Sequence, residues 1–415
     1  MVDSDGKINK YLPFAVLYFF FNSLLLPLGL LYTTLLTPVF ILWLYKYPVF
    51  KYFYFFVALS VVFAVVHFFN GVSFAGYTKS YVLILSVFFW CMAFYQFLLN
   101  CNSLQGIFNK LIIINFFLVL LALAFYFVPF LKPILWYKNS LTAGSGNVYR
   151  LKLFTYEASY YSLLLVPLVY YYYLKILFFR TGSNMLIFCL ATLPILLSFS
   201  FGVLGGIALG FVLLLVSDVK LFYIKKIKYI LITGLVVLPA VFFILYYIFP
   251  NNVLFLRIGN IIGGNDTSFN GRTSDSIILA YKIARDKNLL FGCGPGQTKL
   301  IGADFFKEFY HRYFAESEVV LPNNVADILA AYGLLGVLLK LGVEFYLFFK
   351  TRVFDNYYRL GLFIFIFIYQ FTGSFITNIA EYVIWILAFT APIFPEFNKR
   401  NVFPDYYNNE LIRNA

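Results

Sequence analysis

Residues 80–99 read SYVLILSVFFWCMAFYQFLL, a stretch without a single charged side chain. An α-helix needs about 20 mostly apolar residues to cross the hydrocarbon core of a bilayer, and this stretch has that length. The rest of the chain has the same character, because 62% of its 415 residues are hydrophobic and only 12% are charged. Soluble domains carry roughly a quarter charged residues. We therefore predict an all-α polytopic membrane protein and exclude a soluble globular domain.

Similar apolar runs recur on both sides of this stretch and predict about 12 transmembrane helices. We interpret residues 1–415 as a single integral membrane domain. No internal repeat relates the runs, so the sequence does not support the inverted-repeat architecture of many transporters. The predicted spans cover residues 11–28, 29–46, 50–69, 80–99, 109–130, 156–175, 184–200, 201–218, 227–249, 324–349, 357–374 and 376–395.

The net charge of +13 comes mostly from lysines and arginines in alternate short connections between the apolar runs. Examples are residues 220–228, which contain four lysines, and the connection with Lys350, Arg352 and Arg359. Positive residues favour the cytoplasmic side of a membrane protein, so we expect these connections and both termini to be cytoplasmic. The same distribution accounts for the basic composition without a nucleic-acid partner.

Two long connections, residues 131–156 and 250–323, fall on the predicted outer side. A purely structural bundle uses short connections, and long loops on one face are a common place for function. We therefore expect the functional residues of this protein on its outer face.

The larger outer loop contains a predicted amphipathic helix over residues 274–287. Ile277, Tyr281 and Ala284 share one face of this helix, and Thr273 or the serine after it is positioned to cap it. A second amphipathic stretch follows and is a candidate for the membrane surface. The loop is therefore expected to be folded.

Three arginines of the predicted outer loops, Arg150, Arg257 and Arg272, are candidates for binding a phosphate group. A guanidinium keeps its charge and presents a planar fork of donors that suits a diphosphate. A lipid diphosphate also holds its anion at the membrane surface, beside these loops. The alternative is an ordinary surface arginine, because the larger loop contains nearly equal numbers of basic and acidic residues.

Glu157 lies at the end of the segment RLKLFTYE, residues 150–157, in the first turn of a predicted span. Ionisable groups at such depths are candidates for function, and a carboxylate there can act as a general base or bind a sugar hydroxyl. The alternative is that Glu157 only interacts favourably with the positive end of the helix.

Other polar features allow structural explanations. Asp327, Lys340, Glu344 and Glu381 fall in or beside predicted spans. Lys340 and Glu344 are one helical turn apart, so we expect them to neutralise each other. The glycine-rich segment 292–296 lacks the Lys-Ser/Thr of a P-loop, which favours a plain tight turn. With two histidines and no paired cysteine spacing, we expect neither a metal site nor a cofactor.

The order of these features resembles the O-antigen polymerase and ligase superfamily. Residues 150–160 resemble its pattern of an arginine, a phenylalanine and then an acid and a tyrosine at the start of a span. Arg257 and the NGR at 270–272, followed by a helix and a glycine turn, resemble its large outer loop. The LPNN at 321–324 and the YGLLG at 332–336 resemble the return of that loop into the membrane.

The resemblance implies a glycosyltransferase on the outer face of a bacterial cytoplasmic (inner) membrane. It would transfer a growing glycan from undecaprenyl diphosphate to the next lipid-linked repeat unit, without a metal. Arg150, Arg257 and Arg272 would hold the leaving diphosphate and stabilise its charge. Glu157 would be the base or a sugar contact.

Tyr160, Asn323 and Asn324 would support or contact the substrate in such an enzyme. The chain departs from the family pattern at two positions. Many members carry a histidine where this chain has Asn323, and ligases depend on that histidine, so the departure favours a polymerase. Many members also carry an arginine where this chain has Phe201.

The expected partners are therefore an undecaprenyl-diphosphate-linked oligosaccharide and membrane lipids, with a chain-length regulator as a further candidate. Three alternatives stay open. The first is an O-antigen ligase that uses a lipid A-core acceptor. The second is a polysaccharide flippase or another transporter, and the third is a scaffold or export subunit without catalysis.

Overall fold

A computed structural model describes residues 11–22, 31–140, 146–179, 182–218, 220–221, 243–244, 246–249 and 252–403. These residues form a predominantly helical protein with one small β-hairpin. Residues 1–10 and 404–415, and most of the predicted span 227–249, lie outside the described residues.

The apolar helices of the bundle are separated by connections that contain short helices and the hairpin. The bundle helices are α1 (Leu12–Phe21), α2 (Tyr32–Leu44), α3 (Lys51–Phe69), α4 (Phe74–Asn100), α5 (Leu104–Tyr126), α7 (Ala158–Phe178), α8 (Gly182–Leu197), α9 (Phe201–Ser217), α14 (Asn324–Lys350), α15 (Tyr357–Tyr369) and α16 (Ile379–Phe389). The connections contain α6 (Lys132–Leu135), β1 (Trp136–Ser140), β2 (Asn147–Leu151), α10 (Val253–Ile262), α11 (Thr267–Arg272), α12 (Ser274–Lys287), α13 (Thr298–Tyr310) and α17 (Lys399–Val402).

Five helices of the described part are long and apolar enough to cross a membrane: Pro48–Phe69, which includes α3, and α4, α5, α7 and α14. The other apolar helices have 10–17 residues. The helical membrane character is therefore confirmed, and the number of 12 spans stays a prediction. α7 lies at the centre of the bundle, because 78% of the residues in its most apolar 18-residue stretch are buried. In Pro48–Phe69 the corresponding share is 11%.

The predicted spans 357–374 and 376–395 correspond to two short helices, α15 and α16, which are separated by an irregular segment. α15 has 13 residues and α16 has 11, which correspond to roughly 20 and 17 Å at 1.5 Å per residue. The polar segment 370–378, QFTGSFITN, joins them, and Gln370 and Asn378 in it are buried. Irregular backbone at membrane depth is tolerated where it is buried in protein or lines a water-filled cavity.

α14 is broken at Gly333, whose φ of 66° and ψ of −165° are not helical. The glycine-rich turn packs against this break. The Cys293 amide donates to the Ala330 carbonyl (2.9 Å), and the Leu334 amide donates to the Leu289 carbonyl (3.0 Å). The turn therefore satisfies backbone groups that the break leaves free, which accounts for it as a structural element.

The larger loop is also attached to the last turn of α3 and to the connection between α3 and α4. His67 Nε2 lies 2.7 Å from the Phe291 carbonyl oxygen. Gln297 exchanges two hydrogen bonds with the backbone of Ser73, at 2.9 and 3.1 Å. The loop is thus folded onto the bundle, as expected.

α12 has the bounds that the sequence predicted, but its buried face differs. Of the three residues predicted to share one face, Ala284 is buried, but Ile277 and Tyr281 are more than 40% exposed, and Leu279 and Ile283 are buried instead. Thr273 occupies the predicted N-cap position but makes no side-chain cap hydrogen bond, because its hydroxyl donates to a carbonyl of α11. The Ser274 hydroxyl donates to Asp275 instead of capping the helix. The reason is tertiary: α12 packs between α13 and the first half of α14, and these neighbours select the buried face.

Two exposed positions allow a direct test of the predicted topology. The native Cys293 does not suit thiol labelling, and neither does a cysteine introduced at Asp266, because both native side chains are about 1% exposed. In a cysteine-free background, an impermeant maleimide is expected to label Glu308→Cys in intact spheroplasts and Arg352→Cys only after permeabilisation. The two native side chains are 70% and 64% exposed, so their accessibility is matched. The opposite labelling pattern would invert the topology.

Candidate active site

Arg150 is held near the end of β2, just before the chain enters α7. The hairpin pairs Arg150 with Tyr137. Its Nε atom donates to the Ser198 carbonyl at 2.9 Å, and the residue is only 8% exposed. Ser198 lies in the tight turn between α8 and α9, where the predicted spans 184–200 and 201–218 meet. The turn therefore supplies an acceptor that fixes this guanidinium.

Arg257 projects from α10 and is oriented by two neighbours. Its Nε atom lies 3.3 Å from Asp266 Oδ2, and its guanidinium lies over the Phe201 ring at 5.0 Å from the centroid. Asp266 also caps α11 by accepting from the Phe269 amide at 2.8 Å. Phe201 thus provides a stacking surface for Arg257.

Arg272 is the last residue of α11 and faces Glu157. Its Nη2 atom lies 3.6 Å from Glu157 Oε1, and the two side chains are 32% and 29% exposed. Glu157 occupies the N-cap position of α7 without making a side-chain cap hydrogen bond. The carboxylate is therefore directed to Arg272 and remains accessible from outside the bundle.

These four residues, Arg150, Arg257, Arg272 and Glu157, form what we call the arginine cluster. Burial lowers the pKa of Arg150; Glu157 opposes this shift, while Arg272 and Arg257 add to it. The pKa of Arg257 is also lowered, by burial first and by Arg272 in addition, against Asp266. Among the described residues, no carboxylate lies within ion-pair distance of Arg150. The cluster thus concentrates positive charge that a bound anion would relieve.

Asn323 lies where the larger loop returns to the bundle, and it hydrogen-bonds to the backbone of the arginine cluster. Its side-chain amide donates to the Arg272 carbonyl at 2.9 Å and to the Phe371 carbonyl at 2.6 Å. Its Oδ1 atom accepts from the Ala326 amide and so caps α14. Asn323 is fully buried, and its polar atoms are engaged with the protein. This geometry suits a support for Arg272 rather than a direct substrate contact.

We expect Asn323→Asp to loosen the loop around Arg272. The carboxylate keeps the helix cap but cannot donate, and each buried carbonyl that loses its donor costs about 1–3 kcal/mol. Tryptic cleavage after Arg272 should become faster in the purified variant. Asn252→Asp is the matched control, because exposed Asn252 acts only as the cap of α10 and aspartate caps equally well. Equal cleavage rates in both variants would contradict the proposed support.

Asn324, the residue after Asn323, belongs to a buried ionic network. Its side-chain amide donates to Glu381. Lys340 Nζ lies 3.1 Å from both Glu344 and Glu381, and Gln370 donates to Glu344 at 3.0 Å. The predicted pair of Lys340 and Glu344 therefore exists, but the lysine is shared with a second carboxylate. The network joins α14, the polar segment 370–378 and α16, and removing one member of such a group costs roughly 3–5 kcal/mol.

Tyr160 is also buried, with its hydroxyl against the backbone amides of Ile379 and Ala380 at the start of α16. It therefore braces α7 against α16. Tyr369, which the sequence did not single out, lies within electrostatic reach of Arg272, Glu157 and Arg150. The sequence did not single out Ser198 or Asp266 either. Ser198 accepts from Arg150, which is 48 residues away in the chain, whereas Asp266 is near Arg257 in the chain but meets it only through the fold of the segment between α10 and α11.

The arrangement can bind a polyanion with forked donors and can offer a carboxylate beside it. In the described part of the chain, no group of three or more His, Cys, Asp or Glu side chains could hold a metal ion. Compared with known proteins, the chain matches no protein-family model and no curated protein.

Proposed function

We propose that this protein is an O-antigen or capsular polysaccharide polymerase that acts on undecaprenyl-diphosphate-linked glycans at the outer face of the bacterial inner membrane. The observation that supports it best is the arginine cluster itself. Its four members come from β2, the start of α7, α10 and α11, and both predicted outer loops contribute to it. A cationic site where loops meet the bundle suits an anion that is anchored in the membrane.

The charge of the site matches the leaving group of such a reaction. A lipid diphosphate gains negative charge as the glycosidic bond breaks, and prearranged donors stabilise that charge most where water is partly excluded. Arg150 is nearly buried, and Arg257 is 15% exposed. Guanidinium forks bind phosphate oxygens in pairs, so these residues also orient the diphosphate.

In the proposed step, a hydroxyl oxygen of the acceptor repeat unit attacks the anomeric carbon of the donor glycan. The bond from that carbon to the diphosphate oxygen breaks, and its electron pair leaves with undecaprenyl diphosphate. Glu157 takes the hydroxyl proton. Its side chain is 29% exposed and lies beside Arg272, so the carboxylate is within reach of an incoming hydroxyl, as a general base must be.

A deletion experiment separates this function from its alternatives. Cells that lack the gene are expected to display surface polysaccharide with a single repeat unit, and the wild-type gene should restore the ladder of longer chains. Polymer that is not attached to lipid A-core would indicate a ligase. Lipid-linked units retained on the cytoplasmic side would indicate a flippase. An unchanged ladder would contradict all three.

A chain-length regulator is the partner to examine in the same cells. The polymerase alone should produce a broad, unregulated ladder, because nothing in the arginine cluster measures the length of the product. Co-expression of the regulator should narrow the ladder without changing the linkage.

A further inference from the structure

A cavity outside the arginine cluster is lined by none of the four residues of that cluster. Its volume is about 520 Å³, within the usual size of ligand sites. It is enclosed by the first turns of α4, the end of the glycine-rich turn, α13, the start of α14 and the polar segment 370–378. The lining residues that carry the argument are Lys79, Ser80, Leu83, Lys299, Asp327 and Ile376.

The wall formed by α4 changes from polar to apolar along the helix. Gly76, Lys79, Ser80, Leu83 and Ile84 all line the cavity, and their spacing places them on one helical face. From the first to the last is a rise of about 12 Å at 1.5 Å per residue. Lys79 and Ser80 are near the end of α4 that the larger loop contacts, whereas Leu83 and Ile84 lie farther along the helix, deeper in the bundle. This order suits an amphiphile whose headgroup stays at the membrane surface.

The charged groups of the cavity favour an anionic headgroup. Lys79 and Lys299 are exposed, and no described carboxylate lies within ion-pair distance of either. Asp327 is the one acidic residue of the lining, and its Oδ2 atom accepts from the Ile376 amide at 3.1 Å. Lys299 also interacts with it electrostatically. The lysines thus outnumber the carboxylate, and ammonium groups bind phosphate as point charges.

The cavity and the arginine cluster are separated by one thin partition. Asn323, at the start of α14, holds the Arg272 carbonyl, whereas Asp327, one turn later, lines the cavity. In the polar segment, the Phe371 carbonyl accepts from Asn323, whereas Ile376 lines the cavity. Two ligands bound on either side of this partition would be close neighbours.

We propose that this cavity binds the lipid phosphate of the acceptor, the second lipid-linked glycan, while the arginine cluster holds the donor diphosphate. This inference rests on the proposed function, since only a polymerase requires two such lipids at once. The partition would then place the acceptor sugar next to the donor anomeric carbon, with Lys79 and Lys299 fixing the acceptor's phosphate.

Native mass spectrometry can count the bound lipids. The purified full chain in phosphatidylcholine nanodiscs is titrated with undecaprenyl diphosphate as the probe. The wild-type protein is expected to bind two copies. Lys79→Gln/Lys299→Gln should weaken one of them by about tenfold or more, the loss of roughly 1.4 kcal/mol. Lys282→Gln/Lys307→Gln, which neutralises two lysines of the larger outer loop that do not line the cavity, should keep both.

The outcomes separate the two claims. Two copies with unchanged affinity in the Lys79/Lys299 variant would overturn the cavity proposal. So would displacement of the second copy by an equal amount of phosphatidylglycerol, which would identify a site for bulk anionic lipid. Arg150→Ala/Arg272→Ala should lose the other copy. If that variant keeps both copies while the lysine variant loses one, the donor site is wrong and the cavity assignment stands.

Discussion

Arg272→Lys is expected to reduce polymerisation by about 10- to 100-fold, nearly as much as Arg272→Ala, at an unchanged protein level. Lysine keeps the charge but replaces a planar fork with a point donor on a flexible stem. Losing one charge-assisted contact costs roughly 1.5–3 kcal/mol, and each 1.36 kcal/mol of barrier is about tenfold in rate. The rate of repeat-unit transfer by purified enzyme is the measurement. The same loss is expected for Arg150→Lys, because Arg150 Nε is already committed to Ser198.

Arg312 provides the control within the same loop. It lies after α13, with its guanidinium over the Phe314 ring at 4.4 Å, and it belongs to neither proposed site. Lysine can keep this cation–π contact, so Arg312→Lys should transfer at the wild-type rate. If lysine at both 150 and 272 supports normal chain length with matched expression, the diphosphate-binding role of these arginines is wrong.

Gly333→Ala is expected to prevent accumulation of folded protein or to lower its stability by several kcal/mol. With φ at 66° and ψ at −165°, this position lies in a region of backbone space that is essentially limited to glycine, at a cost of about 1–3 kcal/mol for other residues. An added Cβ would also overlap the backbone of Leu290. That segment hydrogen-bonds to both sides of the break in α14, so it cannot withdraw without losing those bonds.

Gly342→Ala is the matched substitution in the second half of the same helix. A Cβ at Gly342 would meet nothing within 4 Å, and alanine is favoured over glycine in helices by about 1 kcal/mol. Thermal unfolding in detergent should therefore show Gly342→Ala at or above the wild-type midpoint and Gly333→Ala far below it. Similar midpoints for the two variants would show that the break in α14 is not required.

The sequence by itself determined the features that depend on local composition and periodicity. Apolar runs predicted a helical membrane protein, and an amphipathic repeat predicted α12 with its observed bounds. The turn between α8 and α9 lies where the predicted spans 184–200 and 201–218 meet. Arg150, Arg257 and Arg272 could be selected as candidates, because a permanently charged fork at the membrane surface suggests an anion.

Only the tertiary structure decided how these parts meet. Glu157 lies 3.6 Å from Arg272, although the two are far apart in the chain, and Lys340 is shared by two carboxylates of different helices. The break in α14 follows from the insertion of the glycine-rich turn, and the buried face of α12 follows from its neighbours. Such contacts depend on which surfaces pack together, and a local pattern carries no information about a partner distant in the chain.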